Sequence, residues 1–238
     1  MMDGWTIVPI AHIHTDFSDK FGIPRQAGLV PELQAEIVFT PPYRDPNACK
    51  GLEEYSHLWL IWQFSTVAEE YQAGRSWRPT VRPPRLGGNE RRGVFATRSP
   101  YRPNAMGLSC VELCNVRYTA EYGPVLTVRG ADLLDGTPIF DIKPYLPYVD
   151  AHPDARGGFA ERTAHYALQV QADPALLAPL PAEKRAALLG VLRSDPRPAY
   201  QQDPDRVYAL DFAGFTVWFT VADGVLTVVE LCPAAQHT

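Results

Sequence analysis

A chain of 238 residues, 46% of them apolar and including 5 tryptophans, 11 tyrosines and 10 phenylalanines, can bury one large core or a core with a smaller appendage. Its net charge of −5 argues against a general polyanion binder, which is usually basic throughout, so any nucleic-acid contact is expected at one focused site. No run of about 18 uncharged apolar residues offers a membrane span, and the start MMDGWTIVPIAHIHTD lacks the basic-then-apolar layout of a signal peptide, so the expected compartment is the cytoplasm, with no membrane partner.

Taken in order, Trp5 to Ile13 reads as a first strand, rich in β-branched and aromatic residues. A polar loop from His14 leads into Ile23-Pro24-Arg25-Gln26-Ala27-Gly28, where Pro24 keeps the chain extended and holds Arg25 and Gln26 on a stiff segment. Ala35 to Thr40 is a second strand. Leu52 to Phe64 is the most apolar run, with Leu58, Leu60, Trp62 and Phe64 on one side and Trp59 and Ile61 on the other, as suits a central strand.

Eight arginines follow between Arg75 and Arg102, with Glu90 the only acid among them. Arginine's planar fork binds phosphate or carboxylate through paired hydrogen bonds and stacks on bases, so this block looks for an anion. Turn signals at Pro83-Pro84, Gly87-Gly88-Asn89 and Ser99-Pro100 bracket a short apolar run, Val94 to Thr97, read as a buried strand that aims Arg98 and Arg102 from its end and the loop beyond it.

Met106 to Val116 predicts another strand with Val111 and Leu113 inward, and Val125 to Arg129 a further one. Between Gly130 and Tyr145 lie Asp132, Asp135, Asp141 and Lys143 on a turn-strand-turn; carboxylates among Leu, Ile and Phe need partners, which makes this stretch either an Asp–Arg network or the wall of a site. The small, polar stretch Val149 to Phe159 reads as a linker. Beyond it come a strand at Ala164 to Ala172, the one convincing helix at Ala182 to Leu192, a strand at Val207 to Phe212, and a hairpin turning at Asp223-Gly224.

The fold class expected is mainly β: an N-terminal β-barrel of six or seven strands over residues 1–150 and a small C-terminal α+β domain over 160–238. Neither the Gly-x-Gly-x-x-Gly nor the P-loop pattern occurs, and strands do not alternate with amphipathic helices, so a Rossmann sheet is not expected. Cys110 and Cys114, with three residues between them, lack the spacing of a zinc knuckle, and no metal site is expected.

FGIPRQ, GLEEYSHLW, RPTVRPPRLGGNERRGVFATRSPYRPNAMGLS, DLLDGTPIFDIKPYLPY and DPRPAY together resemble the TrmO (YaeB-type) family, S-adenosylmethionine-dependent tRNA methyltransferases. The resemblance implies a non-Rossmann barrel, a homodimer, and methylation of N6 of N6-threonylcarbamoyladenosine at tRNA position 37, beside the anticodon. It implies donor binding by Arg25, Gln26, Ala27, Ser65, Thr66, Arg98, Arg102, Leu108, Leu134, Asp135, Gly136 and Thr137. Ser65 and Thr66 stand where the family carries a His-Gln pair, a departure at that edge of the site.

For chemistry, either Arg25 or Arg102 is suited to the donor carboxylate, and Asp132 and Asp135 to the positive sulfonium. Either Asp135 or Asp141 is a candidate acceptor for the N6 proton, with Arg98 or Lys143 as the cation near the carbamoyl group. The Arg75 to Arg102 block is the expected grip on the anticodon loop, with Trp77 or Tyr101 available for stacking. An RNA-binding barrel without transferase activity is the alternative.

Overall fold

The computed structural model describes residues 6–83, 90–164, 166–197 and 203–234. Six strands close into an antiparallel barrel in the order β1-β2-β7-β6-β3-β8. They are β1 (Ala11–His14), β2 (Gln34–Phe39), β3 (His57–Gln63), β6 (Met106–Thr119), β7 (Gly123–Arg129) and β8 (Thr137–Pro144).

Period-two alternation builds the barrel: Ala11 and Ile13, Leu58, Leu60 and Trp62, Val111 and Leu113, and Ile139 all point into one core, as the sequence pattern expects for the central strands. The long β6 pairs with β3 through its first half and with β7 through its second, and a register shift near Leu113 marks the change of partner. Closure leaves this sheet no free edge. The first strand begins only at Ala11, because Pro9 has no N–H to give the ladder.

Helix α1 (Ser65–Gln72) follows β3 directly, where no helix is expected from the sequence. It buries Val67 alone and has no side-chain cap, so it carries no apolar stripe that sequence could reveal. Two-residue strands β4 (Thr80–Val81) and β5 (Arg92–Gly93) form a small ribbon outside the barrel. Val94–Ala96, expected as a strand, is a 3-10 turn with Val94 buried and Phe95 pointing into solvent.

After the short helix α2 (Pro147–Asp150) the chain enters a second unit. There β9 (Gln169–Gln171), β10 (Tyr208–Phe212), β11 (Phe215–Ala222) and β12 (Val225–Pro233) form a sheet in the order β10-β11-β12-β9. Helices α3 (Pro174–Leu177) and α4 (Ala182–Arg193) pack on it, α4 through Ala187, Leu188, Val191 and Leu192. Asp223 and Gly224, at φ 49° and 78°, both adopt the left-handed conformation that a two-residue hairpin turn requires.

The second core is not made by the C-terminal segment alone. Phe17, Val30 and Leu33, from the β1–β2 connection, are buried in it beside Leu188 and Leu210. Lys184 pairs with Asp16 at 2.7 Å, and Ala213 donates to the Asp16 carbonyl at 3.0 Å. The loop carrying Arg25 to Gly28 is therefore strung between the two cores.

Close approach decides one glycine. A Cβ on Gly107 would lie 2.2 Å from the Trp62 indole, which fills the barrel where β3 and β6 pair. Gly107→Ala is expected to destabilise the fold by about 1–3 kcal/mol through overpacking, lowering the thermal midpoint by about 3–10 °C in a chain of this size. Thermal denaturation followed by circular dichroism checks this; an unchanged midpoint would mean the indole does not rest on Gly107.

Candidate active site at one end of the barrel

Strand pairing gathers four chain segments at one barrel end. Gln63, the last residue of β3, pairs with Met106, the first of β6, while Thr137, the first of β8, pairs with Ile13 near the end of β1. The β7–β8 connection passes across this end, sinking Ala131 and Leu133 into the barrel core and carrying Asp132 between them.

Asp132, half-buried, is the terminus of a hydrogen-bond chain that starts in the barrel core. The Trp62 indole N–H donates to Ser109 Oγ at 3.0 Å, and the Ser109 hydroxyl donates to Asp132 Oδ1 at 2.6 Å. Its own backbone N–H and that of Ala27 also pull on the carboxylate. Burial pushes the Asp132 carboxyl above its ordinary value, against the opposing pull of these donors and of Arg98.

Around this carboxylate the IPRQA loop is fastened in steps. Arg98 donates to Gln26 Oε1, and the Gln26 amide donates to the Arg25 carbonyl. Arg25 donates to the Arg197 carbonyl at 3.0 Å, and Arg197 grips Asp195 at 2.9 and 3.0 Å, a carboxylate that also accepts from the Tyr166 hydroxyl at 3.0 Å. Burial works to raise the Asp195 carboxyl, but Arg197 and Tyr166 together hold it below its ordinary value. The DPR segment of the C-terminal unit thus reaches Arg25, the loop that sequence marks as a ligand edge.

The turn from Leu134 to Thr137 adjoins this cluster. The Thr137 N–H and hydroxyl both donate to the Leu134 carbonyl, at 3.2 and 2.7 Å, and Gly136 sits at φ 73°. Asp135 is exposed; it accepts from the Thr15 N–H at 3.0 Å and lies 3.3 Å from His14 Nδ1. Ser65 and Thr66 open α1 just past Phe64, whose N–H donates to the Ala105 carbonyl at 2.8 Å.

The other expected site residues lie apart from this cluster. Arg102 donates to the carbonyls of Val94 (3.3 Å) and Thr97 (2.8 Å). Leu108, opposite Ile61, is exposed on the outside of the barrel. Asp141 and Lys143 pair with each other at 3.0 Å on the outer face of β8, opposite Ile61 and Trp59, and Asp141 stands about 13 Å along the strand from Thr137. Within one chain, Asp141 and Lys143 do not meet Arg98 or Asp135.

Ser109 and Trp62 were not expected as site residues, yet both hold the site together. The signal was available: Ser109 falls on the inward period of β6 between Gly107 and Val111, and a hydroxyl at an inward position demands a partner.

The basic block is partly compensated. Arg75 pairs with Glu70 at 2.8 Å, just outside the block, and Arg92 pairs with Glu90. Arg78 lies 5.8 Å from the centre of the Tyr101 ring. Arg85 and the Gly87-Gly88-Asn89 turn lie outside the described residues. A cavity of about 320 Å³ lined by Tyr71, Arg75, Arg78 and Tyr101 opens beside the block, and one of about 220 Å³ is lined by Tyr55, Cys114 and Tyr118; neither includes the Asp132 cluster.

A closed antiparallel barrel carrying a fastened Arg-Gln loop across its end, with an appended α+β unit bracing that loop, defines a two-unit class distinct from Rossmann proteins. The family model of the tRNA-methyltransferase O N-terminal domain matches residues 12–151, and that of the TrmO C-terminal domain matches 165–234. The chain belongs to the TrmO family.

It is 38% identical over 240 residues to the tRNA (adenine(37)-N6)-methyltransferase of Escherichia coli K12, covering 98% of this chain and all of the relative. It is 47% identical over 182 residues to the protein of the same name from Eikenella corrodens, covering 76% of this chain and 99% of that one. A Pseudomonas aeruginosa PAO1 relative, 41% identical over 222 residues and covering 86% of this chain and 87% of its own, has the words S-adenosylmethionine-dependent methyltransferase in its name. The crystal structure of TrmO from P. aeruginosa superposes with a TM-score of 0.77 at 30% identity, over 98% of this chain and 99% of that one.

The half-buried Asp132 carboxylate gives a pH signature. A folded-state value above the ordinary 3.8 means the folded chain binds this proton more tightly than the unfolded one, so the contribution of Asp132 to stability falls as pH rises through the interval above 3.8. Asp132→Asn removes that loss while its amide oxygen still accepts from Ser109. Thermal melts from pH 4 to pH 8 are expected to show the variant gaining on the wild type as pH rises; a pH-independent difference would mean that another group carries the titration.

Proposed function

We propose that this protein transfers a methyl group from S-adenosyl-L-methionine to N6 of adenine 37 in tRNA, and that the adenine accepted is the N6-threonylcarbamoyl form. The observation that carries the reading is the Arg98–Gln26–Ala27–Asp132 cluster at the barrel end of a TrmO-family chain. Relatives named as tRNA (adenine(37)-N6)-methyltransferases support the reaction class.

The residues fit the donor. Arg98 offers a cation for the amino-acid carboxylate, with Arg25 on the loop that it fastens through Gln26, while Arg102 is engaged with the Val94 and Thr97 carbonyls. The Leu134–Thr137 turn offers backbone groups for a purine edge, and Asp132 and Asp135 supply negative charge toward a sulfonium. The donor brings an electrophilic methyl carbon and leaves as a neutral thioether, so the protein's task is alignment and management of one proton. N6 shares its lone pair with ring and carbonyl, and its proton must go to an acceptor. Asp135 suits that role better than Asp141, because it is exposed at the barrel end while Asp141 is bonded to Lys143 and to the Ile142 N–H. Lys143 belongs with Asp141, away from this end of the barrel.

A homodimer, which the family resemblance implies, with a second copy walling the donor site, is part of the proposal. The anticodon loop, held by the basic block, presents bases already unstacked, so no duplex need be opened. Such an enzyme works in the cytoplasm, where tRNA serves translation, and no helix among the described residues is long and apolar enough to cross a membrane.

Isothermal titration of the purified protein with S-adenosyl-L-methionine, without RNA, is expected to give about one site per chain, weakened tenfold or more in Arg98→Ala. Binding that is absent in the wild type, alongside tight binding of tRNA, would favour an RNA-binding barrel without transferase activity. Methyl transfer to tRNA with and without the threonylcarbamoyl group decides the substrate: turnover on the unmodified adenine alone would overturn the finer assignment.

The grip on tRNA is electrostatic in this reading. With about six arginines on phosphates of a single-stranded loop, log affinity is expected to fall with log salt at a slope of about −4. A slope near zero in filter-binding measurements would make the block structural.

A further inference from the structure

Phe95 is 72% exposed, although a four-residue apolar run would ordinarily be buried. Its exposure is built into the turn. Val94 is sunk to 1%, its N–H donates to the Pro79 carbonyl at 3.0 Å, and its carbonyl accepts from the Thr97 N–H and hydroxyl at 3.1 and 2.8 Å and from Arg102 at 3.3 Å. With Val94 fixed inward, the next side chain in a 3-10 turn is held outward. Trp77, itself 41% exposed, lies alongside, the two rings 6.2 Å apart and only 25° from parallel. The Arg102 guanidinium sits 5.8 Å from the centre of the Phe95 ring.

We infer that the Phe95–Trp77 pair is a stacking platform for an unstacked base of single-stranded RNA, with the neighbouring arginines on the flanking phosphates. The inference rests on the tRNA reading above and specifies which side chains hold a base. A flat apolar ring beside guanidinium groups matches the two faces of a nucleotide, an aromatic base and an anionic backbone. A second copy of this chain is the poorer occupant: a two-fold contact centred on the patch would bring Arg78, Arg98 and Arg102 against their own copies.

The test is fluorescence anisotropy of a labelled anticodon stem-loop with the full-length protein, paired with donor titration and sedimentation of each variant. Phe95→Ala is expected to weaken stem-loop binding about tenfold, in the range that loss of one base-aromatic stack produces. Phe95→Trp is expected to bind within about twofold of wild type, and Phe95→Leu, apolar but not flat, to stay weak. Donor affinity and sedimentation are expected to be the same in all four proteins. Wild-type affinity in Phe95→Ala, or full rescue by Leu, would overturn the platform while leaving the tRNA reading intact. A shift in oligomeric state in Phe95→Ala would assign the pair to a subunit contact and overturn it too. A wild-type protein that does not bind the stem-loop would overturn the tRNA reading, and the platform with it.

Discussion

A carboxylate half withdrawn from water is held by donors, and the way Asp132 meets them organises the barrel end. Its partners come from three distant stretches: Ser109 on β6, the Ala27 amide on the β1–β2 loop, and Trp62 on β3 acting through Ser109. None of these contacts forms until the strands are in register, so the chain serves as a check on the fold at the point where the site lies. Gly107 belongs to the same arrangement, since the indole that begins the chain rests on its bare Cα. These donors tie the conformation of the Arg25–Gly28 loop to the integrity of the barrel.

The C-terminal unit holds the same loop from the other side. Phe17, Val30 and Leu33 leave the barrel to complete the second core, and the Arg197 carbonyl, fixed by the Asp195 ion pair, receives Arg25. The Asp195 and Arg197 side chains are each 11% exposed, so their pairing is shielded from salt far better than the surface pairs of the basic block. A loop clamped by two separate cores loses little freedom when a ligand arrives, and pre-organisation of that kind favours binding without any added contact. The C-terminal unit, which carries little chemistry in its own sequence, thereby acts on the site by position.

How much of this was legible in the sequence follows from the range of the interactions. Leu58, Leu60 and Trp62, or Val111 and Leu113, announce their strands by alternation, and Asp223-Gly224 announces its hairpin, because these signals are local. Helix α1 announced nothing, since it buries one residue. The Val94–Thr97 run was misleading because four apolar residues cannot distinguish a strand from a turn with one side chain in and one out. The candidate site reads as a set of motifs, which single out the IPRQA loop, the Leu134–Thr137 turn and Arg98. Their partners are not legible there: Ser109, Trp62 and Arg197 reach them through contacts across 23 to 172 positions, and only folding shows which inward hydroxyl meets which carboxylate.

Position also divides the arginines of the block into two kinds. Arg102 directs its fork at the carbonyls of Val94 and Thr97, so one of the most obvious anion ligands in the sequence is partly engaged in shaping the turn that displays Phe95. Arg75 and Arg92 are met by Glu70 and Glu90, and their attraction for an incoming phosphate is reduced by what it takes to loosen those pairs. Exposed pairs of this sort are worth about 0–1 kcal/mol, so a phosphate competes with them easily while the free protein avoids an uncompensated concentration of positive charge. In the proposed function, focused affinity of an acidic protein with one basic block would come from arginines that remain exchangeable, set around a turn whose own arginine is engaged in holding it still.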